Sequence, residues 1–308
     1  ATMAPIRGLH HVTAISGAPQ RNLDFYRDVL GLRFVKKTVN FDDPGTYHLY
    51  YGDRLGRPGT AMTFFPWPHL PPGQRGAGEV ARTHFSVPPA SLDWWTAHLA
   101  AHDVPTAPDE RFGEARLLFA DPDGLELALV GVADDPREPW TPEGFDREVA
   151  IRGFHGVTLA LADLAATARL LEVLLNLEPL GAAAGVLRFA APGTAAGVVD
   201  LEPTAAGPAR SGVGSVHHVA FAVADRAAQD AVRRRLVDAG MRVTPVIDRD
   251  YFHSIYFKSP GGVLFEVATD GPGFTVDEPE AALATSLCLP AQHEPRRAEL
   301  ERMLPPLA

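Results

Sequence analysis

A single cysteine, Cys288, in 308 residues excludes an internal disulfide. No apolar run approaches the roughly 18–20 residues that span a bilayer as a helix. The opening ATMAPIRG also lacks the apolar segment of a secretory signal, so a cytoplasmic protein without a membrane partner is expected. Basic residues are outnumbered, 28 Lys and Arg against 38 Asp and Glu, for a formal net charge of −10, and they form no cluster. That distribution supplies neither a nucleic-acid footprint nor an anionic-membrane surface, and it leaves a small neutral or aromatic substrate as the expected partner. What is plentiful is turn chemistry: 28 prolines and 28 glycines are spread along the chain rather than gathered in one disordered tract.

The chain repeats itself. Four units of about 50–65 residues each open with an apolar strand, pass into a helix and close in strands, which reads as βαβββ. Unit one has GLHHVTAIS and then RNLDFYRDVLGL, where Leu23, Tyr26 and Leu30 recur at helical spacing with Gly31 as cap. Unit two runs from ARTHFSV, unit three from GFHGVTLAL and unit four from SVHHVAFAV. Units one and three share PGTA, at 58 and again at 192, whereas units two and four share a turn before the last strand. The expected organisation is residues 1–135 for modules one and two, a Pro-rich polar linker at 136–151, residues 152–273 for modules three and four, and a tail of short helix and coil at 274–308.

A histidine pair on an apolar strand needs a reason, because strand neighbours point to opposite faces and each pair should send one imidazole inward and one outward. Superposing the units compares His11, His84, Gly156 and His218 on the first strands, and Glu266 with Ala128 on the last. Glu126 lies two residues early, and Asp200 lies late in its strand. Pairing module one with four, and two with three, gathers His11, His218 and Glu266 in one cavity and leaves His84 alone in the other. Two imidazoles and a carboxylate with open positions form the facial triad of non-haem Fe(II) oxygen chemistry. Glu266, set between Phe265 and Val267, is costly to bury unpaired; His84 and His155 taken singly read as core histidines.

These motifs resemble the vicinal oxygen chelate superfamily (glyoxalase, bleomycin resistance and extradiol dioxygenase proteins), and over nearly the whole chain its ring-cleaving hydroquinone dioxygenases. The stretches that carry the resemblance are GLHHVTAISGAPQRNLDFYRDVLGLRFVKKTVNFDDPGTYHLYYGD, VHHVAFAV, DRDYFHSIYFKSPGGVLFEVATDGPGF and DEPEAALATSLCLPAQHEP. The resemblance implies an α+β fold of βαβββ modules pairing into two cupped mixed-sheet half-barrels. It also implies Fe(II), with Mn(II) as the alternative, on His11, His218 and Glu266. Its substrate would be a small aromatic diol opened by O2 between a hydroxyl-bearing carbon and its neighbour. Supporting residues fall on His10, Thr13, His217, Arg249 and Tyr256, with Tyr256, His217 and His10 in proton transfer and Arg249 and Thr13 at the substrate. On residues alone, Arg249 is equally a salt-bridged turn residue and Tyr256 equally a core tyrosine. An extradiol catechol dioxygenase, a glyoxalase-type isomerase or transferase, and a drug-sequestering protein are the rival readings; subunit number, a homo-oligomer included, stays open.

Overall fold

The computed structural model describes residues 6–308, so the first five residues, on which the expectation of no secretory signal partly rests, lie outside it. Module one comprises β1 (Leu9–Ser16), α1 (Pro19–Leu23), β2 (Arg33–Val39), β3 (Tyr47–Gly52) and β4 (Ala61–Pro66). Module two comprises β5 (Glu79–Val87), α2 (Leu92–Ala101), β6 (Ala107–Arg111), β7 (Glu114–Ala120) and β8 (Glu126–Gly131). After a segment without helix or strand, module three adds β9 (Gly153–Leu161), α3 (Ala165–Arg169), β10 (Glu178–Ala183), β11 (Val186–Ala190) and β12 (Val198–Pro203). Module four adds β13 (Ser215–Val223), α4 (Arg226–Asp238), β14 (Ile247–Asp248), β15 (Phe252–Lys258) and β16 (Leu264–Pro272), and the tail ends in α5 (Arg297–Met303). No helix among the described residues is long and apolar enough to cross a membrane.

The strands form two eight-stranded sheets, ordered β14-β15-β16-β13-β1-β4-β3-β2 and β10-β11-β12-β9-β5-β8-β7-β6. Module one is therefore joined to module four and module two to module three, the cross pairing expected from the ligand count. In each half, two first strands run antiparallel at the centre, β1 beside β13 and β9 beside β5. The two PGTA turns stitch the halves together, as Gly59 O accepts from Phe154 N and Ala196 O from Leu9 N, both at 2.8 Å.

Helices follow their apolar spacing. In α4, Ala228, Val232 and Leu236 recur every fourth residue and are buried, each Leu- or Val-sized side chain contributing roughly 1.5–3 kcal/mol. The helix expected around Leu23–Leu30 starts as α and then widens to π geometry over Asp24–Val29, where Leu30 N bonds Phe25 O. Module three repeats this with Leu175 N on Leu170 O, and Gly31 (φ +71°) and Asn176 (φ +58°) end the two turns in the left-handed region that favours such residues.

The tail is bound through one buried cation. Lys36, on β2, has no exposed surface, and its ammonium donates to Asp277 at 2.5 Å and Glu278 at 2.6 Å, with Cys288 Sγ at 3.8 Å. Burial alone would lower its pKa, but these carboxylates raise it above the ordinary value. Asp277, Glu278 and Cys288 have metal-ligand spacing, yet the cation among them is Lys36 itself. Lys36→Met leaves two carboxylates facing each other without a counter-charge, and is expected to cost about 3–5 kcal/mol in urea-unfolding stability and to expose the tail to limited proteolysis.

Candidate metal centre

The two histidine pairs do not obey simple strand alternation. Between β1 and β13, Leu9 pairs with Phe221 but His11 with Ala220, and Thr13 pairs with His218 but Ala14 with Val216. His10 and His217 are thus the extra residues of two β-bulges in adjoining strands, and a bulge re-aims the side chains beside it. Each pair consequently turns its rings together rather than to opposite faces, with Nδ1 of His10 2.8 Å from Nδ1 of His11, and Nδ1 of His217 2.8 Å from Nδ1 of His218.

Past these contacts His11 and His218 reach the same point as Glu266. His11 Nε2 lies 3.2 Å from His218 Nε2 and 3.0 Å from Glu266 Oε2, which is 2.9 Å from His218 Nε2. All three residues are buried. His10 Nε2 faces the carbonyl of Thr269 at 3.0 Å, so it carries the proton, and His10 Nδ1 accepts from His11 Nδ1–H. That leaves a bare lone pair on His11 Nε2, aimed at a carboxylate and at a second imidazole. Two imidazole nitrogens and a carboxylate oxygen this close can share one cation, and their separations match the roughly 3.0 Å edges of an octahedral face with bonds of about 2.1 Å. The donor set therefore fits a divalent metal. Burial holds His10 neutral, down to about 3, and with His218 it holds His217 down to about 4. Burial alone would raise Glu266, but the flanking imidazoles keep it well below the usual carboxylate range. Its second oxygen accepts from the Ser254 hydroxyl.

Strand register shows what the other modules carry at these positions. Glu266 pairs with Ala220, two residues after His218, and Thr63 pairs with Thr13, two after His11. The place of a fourth ligand is thus held by a neutral threonine, which bonds Thr13 Oγ1 at 2.6 Å and His48 Nε2 at 3.0 Å. In the other half His84 pairs with Ala128, not two residues off it, so His84 corresponds to Ala220 and Arg82 to His218. Matching histidine to histidine, rather than strand register to strand register, misplaces it by two. Asp200 is likewise not late: it pairs with Thr158 and takes the carboxylate position of module three. Arg188 neutralises it in a bidentate pair at 2.8 and 3.0 Å. Gly156 stands at the place of His11, where a Cβ would lie 2.1 Å from Val198 O. His84 and His155 are satisfied by Thr158 and Glu114. This half carries an ion-pair network where its partner carries the three acceptors.

A cavity of about 390 Å³ opens over the triad, lined by all three residues together with His48, His217, Arg249, Tyr256 and an aromatic set of Phe41, Phe65, Trp67 and Phe252. Tyr256 pairs directly with Glu266 across β15 and β16. Its hydroxyl accepts from Arg249 Nε at 3.0 Å, and burial followed by the nearby Glu266 raises its pKa, keeping the phenol protonated. Thr13 does not line the cavity; it stands behind Thr63 and His48. Phe252, Ser254 and Tyr256 alternate along β15 onto one face, a pattern visible in FHSIY that identifies Ser254 once Tyr256 is placed. His48, in YHLYY, carried no comparable signal, because its cross-strand partner Thr63 is set by the register of β3 against β4.

The glyoxalase/bleomycin resistance protein/dioxygenase superfamily model matches residues 8–129 and 153–267, and the chain belongs to that superfamily. MhqO of Bacillus subtilis (strain 168), named as a candidate ring-cleaving dioxygenase, is 45% identical over 299 residues, covering 97% of this chain and 96% of its own. The chlorohydroquinone/hydroquinone 1,2-dioxygenase of Sphingobium indicum is 37% identical, covering 97% of this chain and 96% of its own. A crystal structure of a candidate dioxygenase from Bacillus subtilis superposes with TM-score 0.96 at 44% identity, over 99% of this chain and 98% of that one. Glyoxalase I of Zea mays shares the fold, with TM-score 0.63 at 16% identity over 85% and 92% of the two chains.

If the triad is the metal site, His11→Ala, His218→Ala and Glu266→Ala each lose metal on dialysis while keeping the wild-type circular dichroism, and His84→Ala retains it. Ser254→Ala, which frees the second carboxylate oxygen, is expected to weaken metal affinity about 10–100-fold. Full metal content in Glu266→Ala would place the ion elsewhere.

Proposed function

We propose that this protein is a ring-cleaving dioxygenase for hydroquinones, with a metal held by His11, His218 and Glu266. The observation that carries the reading is the three-acceptor cluster at the floor of an aromatic-walled cavity, with Thr63 rather than a carboxylate at the fourth position. Fe(II), or Mn(II) in its place, would supply the one-electron exchange with O2 that an aromatic ring cannot perform unaided. In the overall reaction one O2 and one hydroquinone give one ring-opened acid, with both oxygen atoms retained in the product.

The chain's own groups divide the remaining work. Tyr256 keeps its proton and, since its oxygen already accepts from Arg249, its O–H is free to donate to a substrate oxygen beside Glu266. Arg249 uses Nε on Tyr256 and lies over the Phe41 ring at 5.2 Å, which fixes its guanidinium plane and leaves its other N–H groups for the far hydroxyl of a para-diol. A catechol bridges a metal through adjacent oxygens and needs no such partner. With its Nδ1 engaged by His218, neutral His217 presents Nε2–H to the cavity as a second proton donor. Thr13 acts through Thr63, keeping that hydroxyl turned to His48.

Protein loaded anaerobically with Fe(II) is expected to consume one O2 per hydroquinone and, under 18O2, to place both labels in the ring-opened acid. Turnover of a hemithioacetal without oxygen uptake would favour the isomerase. Arg249→Ala should raise KM for hydroquinone about 10-fold, equivalent to about 1.4 kcal/mol, with little change on catechol, whereas Tyr256→Phe should mainly lower kcat. Equal losses on both substrates in Arg249→Ala would return that residue to a structural role.

A further inference from the structure

We infer that the cavity is shaped for hydroquinones bearing a bulky, uncharged apolar substituent, an alkyl or aryl group seated against Phe65 and Trp67; this rests on the ring-cleaving reading above. Size is the first argument. The cavity measures about 390 Å³, whereas a cavity of about 150 Å³ already takes a benzene ring. A plain hydroquinone with a metal and O2 beside it leaves room for a second ring.

The lining says what fills that room. Phe65 and Trp67 lie 5.1 Å apart at a 37° tilt, and the Phe65 ring is 4.5 Å from His48 and 5.5 Å from His217, so the wall runs up to the metal-side histidines. The polar edge of Trp67 is already occupied, since Nε1 donates to Asp43 and Thr46, each at 3.1 Å. That pins the indole and fastens the loop 40–46 beside the mouth. The wall belongs to module one, and the proposed hydroxyl-binding pair Arg249 and Tyr256 to module four, so a substituted ring is held from two sides.

Charge sets the second limit. Asp42 and Asp43 line the mouth, and Arg249 is the one lysine or arginine among the lining residues, with Nε on Tyr256, its other N–H groups assigned above to the far hydroxyl, and Asp42 3.9 Å away. A carboxylate on the ring would meet two acids and displace a hydroxyl partner. An alkyl or aryl group set against Phe65 and Trp67 meets aromatic carbon.

Steady-state oxygen uptake by Fe(II)-loaded protein on hydroquinone, 2-phenylhydroquinone and 2,5-dihydroxybenzoate tests this, beside anaerobic calorimetric titration of the Mn(II)-loaded protein with the same three compounds. Expected is a kcat/KM for the phenyl compound at least about tenfold above hydroquinone, the carboxylate falling below both, and the same order in binding. Trp67→Ala should cut the phenyl-to-hydroquinone ratio about tenfold, and Phe65→Leu should do so without loosening the loop. Turnover of hydroquinone with the phenyl compound rejected, or preference for the carboxylate, overturns the inference and leaves ring cleavage standing. Absence of oxygen uptake with every diol overturns ring cleavage instead, and calorimetry then decides the cavity by itself: weaker binding of the phenyl compound than of hydroquinone refutes it.

Discussion

Two β-bulges facing each other across β1 and β13 are the constraint on which the site depends. In an unbroken strand His10 and His11 would sit on opposite faces, as would His217 and His218. One extra residue in each strand brings each pair ring to ring, and His10, anchored on the Thr269 carbonyl, then dictates which nitrogen of His11 is bare. Glu266 meets those nitrogens because β16 runs parallel beside β13 in fixed register. Gln229, buried on α4, holds that register from behind by donating to the carbonyls of Val267 and His253, both at 2.8 Å. The cluster is thus preorganised by backbone, not by flexible side chains.

The duplicated half shows the same backbone used for another end. Its first strands carry equivalent register shifts around Ala81 and His155, so the bulges belong to the fold. What differs is the side chains: Gly156 and Arg82 in place of the two imidazoles, Ala128 in place of the carboxylate, and Arg188 locked on Asp200. A buried ion pair of that kind stabilises little by itself, but it compensates charges that would be costly alone. One half-barrel holds acceptors that want a cation, and the other brings its own.

The repeats, the cross pairing and the triad were legible in the chain, because periodicity marks the modules and a carboxylate between Phe265 and Val267 is hard to explain otherwise. The bulges were not, since one additional residue leaves no mark in an apolar strand, yet it shifts every later side chain by one face. Matching by residue type, and not the bulges that both halves share, made His84 look like the partner of His218, and only the pairing with Thr158 brings Asp200 to the carboxylate position. Thr63, His48 and the Phe65–Trp67 wall were also hidden, as their meaning comes from which strand lies beside them. Tyr256 could be placed because the short KSPGG turn sets it against Glu266.

Anomalous X-ray diffraction at the iron and manganese edges from crystals grown without oxygen tests the central claim most directly. One peak per chain is predicted, at bonding distance from His11 Nε2, His218 Nε2 and Glu266 Oε2 together. A metal-loaded crystal with its peak in the other half-barrel, beside Asp277 and Cys288, or on fewer than these three atoms would contradict it.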